Sequence, residues 1–254
     1  MTPGSNAAIF VGEFIGTAIL LLMGNGVVAA VLLPRSKAFA GGWIVITFGW
    51  GFAVLAGAYT SLNLSGGQIN PAVTLGLSTF TGEGWDQVPL RLLAQVLGGI
   101  VGASLCWAAY AGHFGVAEEE TLGIFSTIPA IRNYVQNFVT EVIGTFVLVL
   151  FIIATGPSKL PAGGAKTGEP IATAIAQSGS GVLLVALLVV GIGLCLGGPT
   201  GYAINPARDL GPRIAYTFLP IPNKAGSDWG YSWVPVAGPI VGGVLAALVG
   251  KVVL

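Results

Sequence analysis

The chain has 254 residues, 54% of them hydrophobic and only 8% charged, and its 10 Lys and Arg balance its 10 Asp and Glu. A soluble domain carries about 25% charged residues, so this composition excludes a water-facing globule and points to a polytopic membrane protein. Zero net charge, with no basic run or cationic amphipathic segment, excludes nucleic acid and a merely surface-bound mode.

The first apolar run, Ala7 to Leu33, is long enough to span a bilayer with some tilt. No Lys or Arg precedes Arg35 and there is no charged lead-in to a small-residue cleavage site, so it reads as a retained span. A second span covers roughly Gly42 to Thr60, and a Gly-rich loop with a short helix follows over 61–80. The polar turn Thr81 to Gln87 leads into a third span, about Pro89 to Gly112. The longest polar connection, 113–133, carries Glu118, Glu119 and Glu120. A fourth span runs from about Tyr134 to Thr155, and the linker Gly156 to Pro170 separates it from a fifth, about Ser178 to Leu196. A second loop and short helix occupy 197–217, and a Pro-rich stretch then reaches a sixth span, Trp233 to Leu254. The 40 glycines predict close helix contacts, since small residues let backbones approach in lipid. Cys106 and Cys195 fall in apolar runs and read as packing or lipid-facing residues, and His113 reads as a surface residue.

The two short helices begin alike, at Asn70-Pro71-Ala72 and Asn205-Pro206-Ala207. Asn caps free backbone N–H groups, and Pro suits the first helical position because it has no N–H to orphan. From Pro71 to Phe80, about ten residues at ~1.5 Å each give ~15 Å, half of a ~30 Å hydrocarbon core. Other features recur too. Glu13-Phe14-Ile15-Gly16-Thr17 returns as Glu141-Val142-Ile143-Gly144-Thr145, and Gln95-Val96-Leu97-Gly98-Gly99 has a counterpart in Pro239-Ile240-Val241-Gly242-Gly243. Three spans per half, an odd number, turn the second half upside down relative to the first. The chain therefore reads as a single domain, 1–254, of two inverted repeats at approximately 7–112 and 134–254, joined by the loop 113–133. Two half-helices entering from opposite faces bring Asn70 and Asn205 together near the midplane. Irregular backbone is tolerated there only where it lines a water-filled cavity. Charge does not orient the chain: Arg91, Lys159, Lys166 and Lys251 fall on one side, Arg35, Lys37, Arg132 and Lys224 on the other, with Arg208 and Arg213 in the re-entrant segment.

Each Asn amide has two donors, and its capping role holds it at the positive end of a half-helix dipole. A water between them would accept from both and donate outward, which breaks a proton wire, and the positive ends would repel cations. Arg208 is an intramembrane charge and so belongs at a cavity, where its fork of donors suits solute oxygens. Asp209 reads as a first-turn charge or a loop-bracing acceptor. Glu13 and Glu141 could form a proton-coupling pair; the favoured reading has each accept from N–H groups of the adjacent re-entrant loop. No Cys/His/Asp cluster has metal spacing, no Ser has a His partner, and no phosphate loop is present. Neither an enzyme nor a cofactor is expected.

Over nearly its whole length the chain resembles the aquaporin (major intrinsic protein) family, and within it the glycerol-facilitator branch. The carriers are Ser65-Gly66-Gly67-Gln68-Ile69-Asn70-Pro71-Ala72-Val73-Thr74 and Gly201-Tyr202-Ala203-Ile204-Asn205-Pro206-Ala207-Arg208-Asp209-Leu210-Gly211-Pro212. Asp209 directly after Arg208 is the mark of the branch. Gln68 stands where the family usually has His, and Tyr202 where the branch usually has Phe. The resemblance implies an all-α membrane fold, six transmembrane helices plus two re-entrant half-helices in a right-handed bundle. It also implies a homotetramer in the cell membrane with cytoplasmic termini. It maps a constriction onto Trp50, Gly193, Tyr202 and Arg208: two aromatic faces for the carbon side of a polyol, Arg208 for its hydroxyls, and width left by Gly193. Carbonyls of Gly66, Gly67 and Gln68, and of Tyr202, Ala203 and Ile204, are the expected acceptor ladder. The Tyr202 hydroxyl either points into the constriction or meets water in a vestibule. The function so implied is a passive channel for glycerol, other small neutral solutes and water that excludes protons and ions. Rival readings are a secondary active transporter, which also uses inverted repeats and broken helices, and a membrane scaffold with an occluded pore.

Overall fold

A computed structural model describes residues 1–155, 180–222 and 224–254. The expected linker 156–170, with Lys159 and Lys166, lies outside the described residues, as does the start of the fifth span. Among the described residues every regular element is helical. In chain order these are α1 (Asn6–Leu32), α2 (Trp43–Ser65), α3 (Pro71–Thr81), α4 (Val88–Ala109), α5 (Ala111–Phe114), α6 (Leu122–Phe125), α7 (Tyr134–Thr155), α8 (Ser180–Leu196), α9 (Pro206–Phe218) and α10 (Val234–Val253). Five of them, α1, α2, α4, α7 and α10, are long and apolar enough to cross a membrane, and α8 is a shorter apolar helix of 17 residues.

Local signals account for the starts and stops. The Ser5 side chain accepts from Ala8 N at 3.3 Å and caps α1. Asn70 and Asn205 cap α3 and α9 with Pro next in line. The second span runs five residues further than expected, through Ser65. There the Ser61 and Ser65 hydroxyls turn back onto the carbonyls of Gly57 and Ser61, so these polar side chains stay inside the helix. Gly66, at φ 85°, ends it in the left-handed conformation that glycine adopts without strain. The third span stops at Ala109 rather than Gly112, and Tyr110 turns the chain into α5.

α1 packs on α2 and α4, α7 packs on α10, and α2 on α8. The half-helices cross over: α3 packs chiefly on α10, and α9 chiefly on α4. Paired glycines permit this. A Cβ at Gly98 would lie 2.4 Å from the Phe14 carbonyl of α1, and one at Gly99 2.9 Å from the Ala207 carbonyl of α9. Gly242 and Gly243 do the same against Val142 (2.4 Å) and Ala72 (2.6 Å). One glycine of each pair admits a long helix and the other admits the start of a half-helix.

The connection 113–133 is not the open polar loop its composition suggests. Phe114 and Phe125 are fully buried and Ile124 nearly so. The ring of Phe125 lies 5.7 Å from that of Phe114 and 5.2 Å from that of Tyr216. The three glutamates stay near water while the apolar residues after them fold inward. Cys106 is buried, Cys195 is exposed, and His113 is part-exposed beside Tyr110.

Candidate functional site

Two short loops, 66–69 and 197–204, carry the backbone between a long helix and a half-helix. Ile69 and Ile204 both sit at φ 43°, and Tyr202 at φ 40°. For a β-branched residue this conformation is a genuine outlier and costs on the order of 1–3 kcal/mol, so the surroundings must impose it. Two buried carboxylates do so. Glu13 accepts from Ile69 N at 2.7 Å and Gln68 N at 3.2 Å, and Glu141 from Ile204 N at 2.9 Å and Ala203 N at 3.0 Å. Glu141 also accepts from the Thr200 hydroxyl at 2.7 Å. Glu13 has in addition Arg91 and Gln95, each at 2.8 Å. Arg91, which its place in the sequence puts among the loop charges, is thus a mostly buried partner of Glu13 that also donates to the Ser65 carbonyl at 2.7 Å.

The two isoleucines turn their carbonyls toward the opposite loop. Asn70 Nδ2 donates to Ile204 O and Asn205 Nδ2 to Ile69 O, both at 2.9 Å. The oxygens of the same amides cap their own helices: Asn70 accepts from Ala72 N at 2.9 Å, and Asn205 from Ala207 N at 3.0 Å and Arg208 N at 3.2 Å. Of the expected acceptor ladder, the Ile204 carbonyl thus already accepts from Asn70 and keeps one lone pair. Among the described residues, the carbonyls of Gly66, Gly67, Gln68 and Ala203 accept no hydrogen bond from the backbone or a side chain. Each Asn amide keeps one N–H that is not spent on the other loop.

A cavity of about 480 Å³ runs past these groups and is lined by both Asn residues, both loops, Trp50, Tyr202 and Arg208. Arg208, nearly fully buried, lies with its guanidinium carbon 3.9 Å from the centroid of the Trp50 ring. Its Nη1 donates to the Phe125 carbonyl at 3.1 Å, so the connection 113–133 helps to aim it. Asp209 takes the loop-bracing role: it accepts from Thr127 N at 2.8 Å and the Thr127 hydroxyl at 2.7 Å, and pairs with the fully buried Arg213 at 2.8 Å. Arg213 also donates to the carbonyls of Ser227, Asp228 and Thr127. At the surface Arg132 pairs with Asp228, whose hydrogen bonds hold that guanidinium above its ordinary pKa.

Two expectations need correction at the constriction. Gly193 does not border the cavity: a Cβ there would lie 2.8 Å from Tyr202 Cζ and 2.9 Å from its hydroxyl oxygen, so the space it leaves holds the Tyr202 ring. The Tyr202 hydroxyl meets neither lumen nor vestibule. It is buried without a hydrogen-bond partner, in a place where the neighbouring Thr47 turns its own hydroxyl to the Ile44 carbonyl. Residue-by-residue reading missed Phe125, Thr127, Arg213 and Arg91. The one usable signal was an intramembrane charge at Arg213, four residues after Asp209 and so on the same helix face.

The sequence profile of the family described as major intrinsic protein matches residues 4–250. The glycerol uptake facilitator protein of Streptococcus pneumoniae (strain ATCC BAA-255 / R6) is 48% identical over 94% of this chain and 96% of its own. The probable glycerol uptake facilitator protein of Thermotoga maritima is 47% identical, with 94% of this chain and 97% of its own covered. The X-ray structure of the aquaglyceroporin from Plasmodium falciparum superposes with a TM-score of 0.81 at 30% identity, covering 98% of this chain and 97% of that one. With five helices fit to span a membrane, crossed half-helices and a profile match over nearly its full length, this integral membrane chain belongs to the major intrinsic protein family.

Proposed function

We propose that the chain is a passive channel for glycerol, other small neutral solutes and water. The observation that carries this reading is the cavity itself, lined by the Asn caps of both half-helices together with Trp50, Tyr202 and Arg208. Tyr202, with the part of Trp50 that the Arg208 guanidinium leaves uncovered, offers apolar surface to the carbon side of a polyol. Arg208 and the unpaired loop carbonyls of Gly66, Gly67, Gln68 and Ala203 exchange hydrogen bonds with its hydroxyls. Pro71, Ala72, Pro206 and Ala207 carry the half-helix starts, and Gly193 seats the Tyr202 ring. At the centre, the remaining N–H of Asn70 and of Asn205 each donate to one water. That water cannot also accept from its neighbours in file, so no proton wire crosses, and the half-helix dipoles repel cations. Relatives named glycerol uptake facilitators support the solute class. The repeats 7–112 and 134–254 are inverted about this centre. The channel works as a homotetramer in the cell membrane with cytoplasmic termini, as the family pattern implies, and apolar faces such as Ile44, Phe48 and Phe52 are free for subunits or lipid.

Stopped-flow light scattering of proteoliposomes tests this. Glycerol flux is expected to rise in proportion to the gradient, with no proton leak on a trapped pH dye. Saturation at millimolar glycerol, or dependence on an ion gradient, would instead identify a carrier.

The Tyr202 hydroxyl gives a second expectation. A buried, unpaired hydroxyl costs about 1–3 kcal/mol, so Tyr202→Phe should raise the thermal midpoint in detergent by a few degrees. The glycerol-to-water flux ratio should move by less than about twofold, since the hydroxyl does not face the lumen. A lowered midpoint would show that the hydroxyl has a partner.

A further inference from the structure

Trp43, the first residue of α2, belongs to none of the repeated motifs and is 40% exposed, as an aromatic at a bilayer interface would be. Such a residue aims its N–H at headgroups or water. Trp43 aims inward instead: its indole N–H donates to the Gly193 carbonyl at 2.9 Å. That carbonyl lies in the last turn of α8. The Trp43 ring also meets the Tyr202 ring edge-on, with centroids 5.8 Å apart at 78°.

The surroundings of Tyr202 form a slot. Gly193 and Gly197 stand one turn apart on the same stretch, and a Cβ at Gly197 would lie 2.6 Å from Tyr202 Cδ1 and 2.8 Å from Trp43 Cζ2. Thr47, one turn after Trp43 on α2, brings its methyl within 2.8 Å of the position of a Gly193 Cβ. The ring thus lies along two glycines, between Trp43 and Thr47. Its remaining side is the cavity.

We propose that Trp43 is a positioning residue for solute selection. By holding the Gly193 carbonyl and the edge of Tyr202 together, it sets how far the Tyr202 ring projects into the passage. It touches no solute itself, and the inference rests on the channel reading above. Without the indole, the ring can retreat into the vacated space, and the constriction then admits a wider polyol.

The test is flux of water, glycerol and the four-carbon polyol erythritol through full-length protein in proteoliposomes, for wild type, Trp43→Phe and Trp43→Ala. In Trp43→Ala the erythritol-to-glycerol ratio is expected to rise about fivefold, the equivalent of one typical hydrogen bond. Trp43→Phe keeps a ring edge but loses the N–H, and should fall between. A purely structural role would lower all three fluxes together and leave the ratio where it was, which would overturn the proposal. Should Trp43→Ala fail to assemble, the ratio in Trp43→Phe decides alone. Wild-type glycerol flux with unmoved ratios would overturn this inference only. A wild type that carries no glycerol would overturn the channel reading and this inference with it.

Discussion

Gly193→His is expected to abolish glycerol flux, with water flux reduced less. The reason is steric and begins at the first added carbon. A Cβ at 193 would stand 2.8 Å from Tyr202 Cζ and 2.8 Å from the Thr47 methyl, closer than real Cβ atoms come, so something must shift. Thr47 is fully buried in α2, and Trp43 and Gly197 close the rest of the slot. The ring can move only toward the cavity, where it meets Arg208 and Trp50. An imidazole pushes it further than a methyl does. Gly193→Ala should therefore already lower glycerol permeability by roughly tenfold, the scale of overpacking a tight site by 1–3 kcal/mol. Water, being smaller, passes a narrowed gap more readily. Stopped-flow measurements on both variants check this order, and wild-type glycerol flux in Gly193→Ala would place the glycine away from anything that sets the passage.

That expectation differs from one drawn on the sequence, in which Gly193 leaves open width. The difference shows what a chain of residues conveys and what it hides. Helix starts are local, so Asn70-Pro71 and Asn205-Pro206 announce themselves, and their repetition with Glu13 and Glu141 shows which acids brace which loops. The side-by-side placement of Gly193 and Tyr202 is not local. Nine positions separate them, across a helix end and a loop turned by Gly201 at φ 82°, and neither residue alone implies that one is a seat for the other. The connection 113–133 hides its role for a similar reason. Its acidic start reads as solvated, while Phe125 and Thr127 act only once Arg208 and Asp209 have been brought to them. Helix α2 outlasts its apolar run because serine hydroxyls satisfied inside a buried helix no longer favour a turn.

Asn205→Asp is expected to lower both glycerol and water flux at least tenfold in protein that still assembles, and it separates the two jobs of this side chain. The aspartate keeps an oxygen where Asn205 Oδ1 now accepts from Ala207 N and Arg208 N, so the start of α9 survives. Asp is as good a cap as Asn. The nitrogen is another matter. Asn205 Nδ2 donates to the Ile69 carbonyl at 2.9 Å, and a carboxylate oxygen in its place sets two acceptors face to face in a buried site. Losing that bond and leaving the carbonyl unpaired costs about 1–3 kcal/mol. Ile69 holds a left-handed φ of 43° that the bond helps to maintain, so the 66–69 loop is freed to move into the passage. The added charge also removes the donor that a central water needs. Asn70→Asp should do the same through Ile204, which mirrors Ile69 in both φ and partner. Asn205→Ser completes the comparison: serine caps well and adds no charge, so it should retain more flux than Asn205→Asp. If all three variants conduct like the wild type, the two amides are helix caps and nothing more.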